Sequence, residues 1–97
     1  MNLHEAQQKI SDTYGRKDRQ RGVDGTFLYL IEEIGELATA LRVGDKVEQG
    51  GEFADVQAWL LSLASLAGVD MQEALNKYGS GCCGCKTVPC SCVGEKP

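Results

Sequence analysis

Residues 27–42, FLYLIEEIGELATALR, decide how this chain folds. Phe27, Leu30, Ile31, Ile34, Leu37, Ala38 and Leu41 recur at the i, i+3, i+4 spacing of an α-helix with one apolar stripe. Thr26 supplies a side-chain oxygen at the N-cap position before them. Glu32, Glu33 and Glu36 are interleaved with that stripe. None of them has a Lys or Arg four residues on to neutralise it along the helix.

Residues 51–67, GEFADVQAWLLSLASLA, repeat the arrangement. Phe53, Val56, Leu60, Leu63, Ala64 and Ala67 form the main stripe. Leu61 and Leu66 fall outside it, as in a helix buried on several sides. The glycines at 44, 50 and 51 predict a connection before a helix start near Gly51. On a helix turning ~100° per residue, Glu33 and Glu36 stand about 60° apart beside the first stripe, and Glu52 and Asp55 stand likewise beside the second. Antiparallel pairing through the stripes then brings four carboxylates to one seam. Two unit charges ~5 Å apart at an effective dielectric of ~20 repel by about 3 kcal/mol. Such a set either takes up protons or holds a cation. Ligands that are all oxygen select a hard ion, Mg²⁺ or Mn²⁺. Di-iron carboxylate bundles need Glu-x-x-His on two helices, and the one histidine, His4, reads as a helix-surface residue. The alternative is that these acids are solvated helix faces. One i, i+3 pair of acids means little; two pairs on consecutive helices mean more.

The rest of the chain is sorted by its punctuation. Leu3, Ala6, Ile10 and Tyr14 predict a first helix over residues 2–14. A basic loop follows over residues 15–25, with Arg16, Lys17, Arg19 and Arg21 between glycines. Gly68 suits a helix C-cap, and Asp70 to Glu73 reads as the capping box of a short fourth helix ending at Gly79. No stretch alternates like a strand. The expectation is an all-α domain over residues 1–79 and a Cys-rich tail over residues 80–97.

Ninety-seven residues, 42% hydrophobic and 25% charged, allow one small domain with a marginal core of its own. Self-association or a bound metal would supplement that core. Ten Lys and Arg against fourteen Asp and Glu leave a net charge of −4, which argues against a nucleic-acid binder. No apolar run reaches the ~20 residues needed to span a bilayer, and the N-terminal residues lack a signal-peptide pattern. A cytoplasmic protein without membrane contact is expected.

The pair Glu33-x-x-Glu36 and Glu52-x-x-Asp55, with fifteen residues between them and the apolar pattern around them, resembles the MazG-type nucleotide pyrophosphohydrolases. The resemblance covers about residues 1–78. It implies a four-helix, all-α core that forms homodimers or homotetramers. It also implies Mg²⁺-dependent cleavage of a nucleoside triphosphate between the α- and β-phosphates, giving monophosphate and pyrophosphate. By that resemblance Glu33, Glu36, Glu52 and Asp55 are the metal ligands. Glu32 matches an extra acid that positions or deprotonates the attacking water. No Gly-x-x-x-x-Gly-Lys-Ser/Thr loop occurs, which excludes a P-loop mechanism.

Substrate contacts are expected from Arg19 or Arg21 on the phosphates, ahead of Lys17, and more weakly from Lys77. Trp59, four residues after Asp55, is a candidate for stacking on a base, with a core or interface role as the alternative. Tyr29 is balanced in the same way.

All five cysteines lie in the last sixteen residues. Cys82-x-x-Cys85 and Cys90-x-Cys92 have the spacing of a closed tetrahedral zinc site, with Cys83 as the spare. A redox disulfide and a disordered tail are the competing readings. The rival for the whole chain is a non-catalytic helical adaptor that uses the cysteine knuckle to bind a partner.

Overall fold

The computed structural model describes all 97 residues. It consists of three helices, α1 (Leu3–Val43), α2 (Lys46–Leu66) and α3 (Met71–Ala74), and a 3-10 turn over Leu75–Tyr78. There are no strands.

α1 replaces the predicted first helix, basic loop and second helix. Residues 15–21 are helical, and only Gly22 leaves the helix, at φ 79° and ψ 175°. Lys, Arg and Gln dominate this stretch, and all are good helix formers. Gly15 is buried within the helix, where a Cβ would stand 3.1 Å from Arg19 Nη1. The conformation of Gly22 is essentially reserved for glycine, so the chain breaks there. Two arms result, residues 3–21 and 23–43, and each packs on α2. Gln7 of the first arm bonds to Ser65, and Tyr29 of the second stacks on Trp59.

α2 begins five residues earlier than the glycines suggested. Asp45 is its N-cap and accepts from the Glu48 N–H at 2.9 Å. That cap, worth about 1 kcal/mol, helps offset the helix cost of Gly50 and Gly51. The reversal between α1 and α2 requires Gly44, because a Cβ there would lie 2.8 Å from the Ala40 carbonyl oxygen. Asp70 caps α3 as expected and accepts from the N–H groups of Gln72 and Glu73 at 2.9 and 3.1 Å.

The buried apolar side chains are Leu30, Ala40, Leu61 and Ala64. The predicted stripes are mostly uncovered: Phe27, Ile31, Ile34, Leu41, Phe53 and Leu60 are each 40–53% exposed. Leu61, expected outside the stripe, is buried instead. The two arms of α1 cover only part of each stripe: Leu30 and Ala64 are buried, and the larger side chains beside them are left half-exposed.

Polar contacts close the end opposite the α1–α2 reversal. Gln7 is 8% exposed. It donates to Ser65 Oγ at 3.1 Å and to the Val69 carbonyl at 2.8 Å, and accepts from the Met71 N–H at 2.8 Å. His4 is exposed, yet it is tied to Asp70 at 3.2 Å. No helix is long and apolar enough to cross a membrane.

Candidate active site

Asp45 and Gly44 turn the chain so that the second arm of α1 faces the start of α2. One carboxylate oxygen from each of Glu33, Glu36 and Glu52 then falls within 4.8 Å of the others. Asp55 lies one turn further along α2, and its charge acts on both Glu33 and Glu52. Oε2 of Glu33 and Oε2 of Glu52 are buried and have no hydrogen-bond partner. Loss of water pushes the Glu33 carboxyl above its ordinary value, and Glu36, Asp55 and Glu52 push it the same way. Glu52 is raised by the same loss of water, then by Glu36 and Asp55. Four acids with two orphaned oxygens and no cationic side chain bonded to them are a donor set that fits a hard divalent cation. Glu36, Glu48, Glu52 and Asp55 line an open cavity of about 510 Å³ over this cluster. Glu32 is exposed, next to Glu33 in the chain and outside the cluster.

Asp55 is also on the wall of a second cavity, of about 470 Å³, with Tyr14, Lys17, Asp18, Arg21 and Trp59. That volume is within the range of small-molecule sites. Tyr29 and Trp59 stack across the α1–α2 interface, their centroids 5.1 Å apart and their planes 18° from parallel. The Arg21 guanidinium sits 4.7 Å from the Trp59 centroid and 5.5 Å from that of Tyr29. Asp18 holds Arg21 in place at 3.1 Å. Gly25 makes room for the Arg21 stem, since a Cβ there would stand 2.7 Å from Arg21 Cγ.

The other predicted cations lie elsewhere. Arg19 lines a smaller cavity of about 180 Å³, on the other side of Asp18 and Ser62, which both cavities share. Lys77 extends over the Tyr78 ring at 5.7 Å and lines none of these cavities. The helical phase of residues 16–21 separates Arg19 from Arg21, and reading them as a loop hid that difference. Asp18 and Gly25 were not singled out in the sequence. An acid three residues before an Arg on a helix was the available signal for Asp18.

In the tail, the Sγ atoms of Cys82, Cys85, Cys90 and Cys92 lie within 4.8 Å of one another, and Cys83 is outside the group. Backbone N–H groups point at the sulfurs: Gly84 at Cys82 (3.3 Å), Ser91 at Cys85 (3.3 Å) and Cys92 at Cys90 (3.4 Å). Ser91 and then Thr87 draw the Cys85 thiol down to about 5. Cys90, then Cys82 and Cys85, push Cys92 up to about 11. Four clustered thiols of this kind are a set that can bind a metal ion. No hydrogen bond joins residues 82–97 to the helices.

Comparison with known proteins places this geometry in a lineage. A 58-residue stretch is 47% identical to a dATP/dGTP diphosphohydrolase of Cyanophage S-2L, and covers 60% of this chain and 50% of that relative. The chain therefore spans about half the length of this curated relative. Residues 21–80 match the MazG nucleotide pyrophosphohydrolase domain, a stretch that holds Glu33, Glu36, Glu52 and Asp55 and both stacked rings. With well over half of its residues in that match, the chain belongs to the MazG nucleotide pyrophosphohydrolase domain family.

Proposed function

We propose that this protein hydrolyses nucleoside triphosphates between the α- and β-phosphates, releasing a monophosphate and pyrophosphate, with Mg²⁺ or Mn²⁺ held by Glu33, Glu36, Glu52 and Asp55. The observation that carries this reading is the pair of buried, unpartnered oxygens of Glu33 and Glu52 within a set of like charges. A divalent cation bound there neutralises phosphate charge and lowers the pKa of a bound water. The residues of the chain do the rest. Glu32, exposed and next to Glu33 in the chain, orients the attacking water and takes its proton. Arg21 and Lys17 meet the negative charge of the nucleotide, and Trp59 with Tyr29 offers a flat apolar surface for the base. The cyanophage relative's name makes purine deoxynucleoside triphosphates the first substrates to try.

The protein works as a homodimer or homotetramer. The half-exposed stripe of Phe27, Ile31, Ile34 and Leu41 supports this, since monomers rarely leave so much contiguous apolar surface open. Cys82, Cys85, Cys90 and Cys92 hold one structural Zn²⁺. The tail has almost no core, so the metal supplies its folding free energy. The nucleotide pool and the reduced thiols that this reading needs are those of the cytoplasm.

The test is a panel of ribo- and deoxynucleoside triphosphates with Mg²⁺, scored for pyrophosphate. Release from at least one of them, abolished in Asp55→Asn, is the expected result. No release from any nucleotide would favour a non-catalytic adaptor. Metal analysis checks the tail: about one Zn per chain, lost in Cys82→Ser and kept in Cys83→Ser. A zinc-free native protein would remove the knuckle from the reading.

A further inference from the structure

Asp18 is 3% exposed and stands on the wall of the aromatic cavity. Its bond to Arg21 uses only half of its acceptor capacity. Both guanidinium nitrogens reach the same oxygen, Oδ1, at 3.1 and 3.4 Å. Oδ2 has no partner in the protein. It is not among the fully buried, unpartnered atoms of the protein, so it stays open to the space that Asp18 lines, where a carboxylate oxygen gains from any donor that reaches it. In this cavity the donor comes from whatever fills it. Ser62, 4% exposed, lies on the same wall.

The shape of the cavity narrows the choice. Its platform is the Trp59 and Tyr29 stack with the Arg21 guanidinium against it, which suits a flat aromatic ligand. The edge that such a ligand turns towards Asp18 must carry N–H groups. Guanine presents two side by side, at N1 and the exocyclic N2. Adenine and cytosine present one exocyclic amine beside a ring acceptor. Thymine presents one N–H between two carbonyls, which a carboxylate repels.

We propose that Asp18 reads the edge of the nucleobase in this cavity and selects guanine nucleotides. The inference rests on the functional reading above, because the shared Asp55 places the base cavity beside the metal cluster. Asp18 thereby has two roles on one carboxylate: Oδ1 orients Arg21, and Oδ2 accepts from the base.

The experiment measures kcat and KM for dGTP, dATP, dCTP and dTTP on wild type, Asp18→Asn and Arg21→Lys. Alongside it, Trp59 fluorescence is followed during titration with deoxyguanosine and thymidine. Trp59 is the sole tryptophan, so the signal belongs to this cavity. Wild type is expected to prefer dGTP over dTTP by at least about 10-fold in kcat/KM. Asp18→Asn brings the ratio towards unity, mainly through KM. Arg21→Lys lowers all four substrates together and keeps the order. A wild type without guanine preference overturns the proposal. So does an Asp18→Asn that lowers every base equally, because Asp18 would then act only through Arg21. If no triphosphate is cleaved, the hydrolase reading fails by itself. The base reading then still stands on a Trp59 response to deoxyguanosine over thymidine that Asp18→Asn removes, and falls if Trp59 responds to neither nucleoside.

Discussion

Glu33 and Glu52 are held in an arrangement that a stable fold would not choose for its own sake. Each is half-buried and loses part of its water, each faces further acids, and one buried oxygen of each has no partner. A carboxyl raised above its ordinary value stabilises the fold while it is protonated, and that contribution is lost as pH rises through the folded-state value. In the metal-free protein at neutral pH, ionised Glu33 therefore works against folding. Glu33→Gln is expected to melt higher than wild type in EDTA at pH 7, and the gap is expected to close towards pH 4. The same variant loses its thermal upshift with Mg²⁺ and at least about 100-fold of pyrophosphate release, since even changes behind a metal's ligands cost 10–100-fold. Melting curves with and without Mg²⁺, beside a turnover assay, check both halves. A variant that melts lower than wild type in EDTA would mean that the cluster is not strained.

α1 depends on one residue for its shape. Gly22 adopts φ 79° and ψ 175°, which costs a residue with a Cβ about 1–3 kcal/mol. Gly22→Ala is expected to lower the melting temperature by roughly 5–15 °C in a chain of this size. It is also expected to raise KM more than it lowers kcat, because Arg21 and the Tyr29–Trp59 stack are aimed from either side of the break. α3 shows the opposite dependence on pH from Glu33. The N–H groups of Glu73 and then Gln72, with His4 beside them, hold the Asp70 carboxyl below its ordinary value of 3.8. Its contribution is present above that value and is lost as pH falls through the lowered one. Asp70→Asn keeps the cap, since Asn caps as well as Asp. Its stability is therefore expected to fall less than that of wild type between pH 5 and pH 2 in urea titrations. These elements also show what the sequence discloses. The i, i+3 spacing of Glu33 with Glu36 and of Glu52 with Asp55 fixes their angles on a helix, so the acidic seam was legible. The Asp70 capping box was legible for the same local reason. Residues 15–25 were not: glycine punctuation suggested a loop, whereas helix-forming side chains carry the helix through Gly15 and stop it only at Gly22. The meeting of Tyr29 with Trp59, and Arg21 lying on them, depends on the register between α1 and α2, which no single-chain periodicity contains.

As a whole, the molecule buries very little. Leu30, Ala40, Leu61 and Ala64 are a small core for 97 residues, and the long stripe on the second arm of α1 faces outward. That imbalance supports the proposed self-association. Sedimentation at micromolar concentration is expected to give two or four chains per particle. Ile31→Asp, which places a charge on the 50% exposed stripe, is expected to release single chains with a lower melting temperature. A wild type that sediments as one chain would leave the stripe without a role. The tail is organised separately: its hydrogen bonds are internal, so loss of its thiol cluster is expected to leave the helical circular dichroism of residues 3–78 unchanged. The helical body, by contrast, is joined through Asp55, a residue on the walls of both large cavities. On the proposed reading, an occupant of either cavity is expected to alter the field felt in the other, which links the two binding equilibria. Linkage is reciprocal. A free nucleoside, which has no phosphate with which to touch a cation, should shift the Mg²⁺ dissociation constant by the same factor by which Mg²⁺ shifts that of the nucleoside.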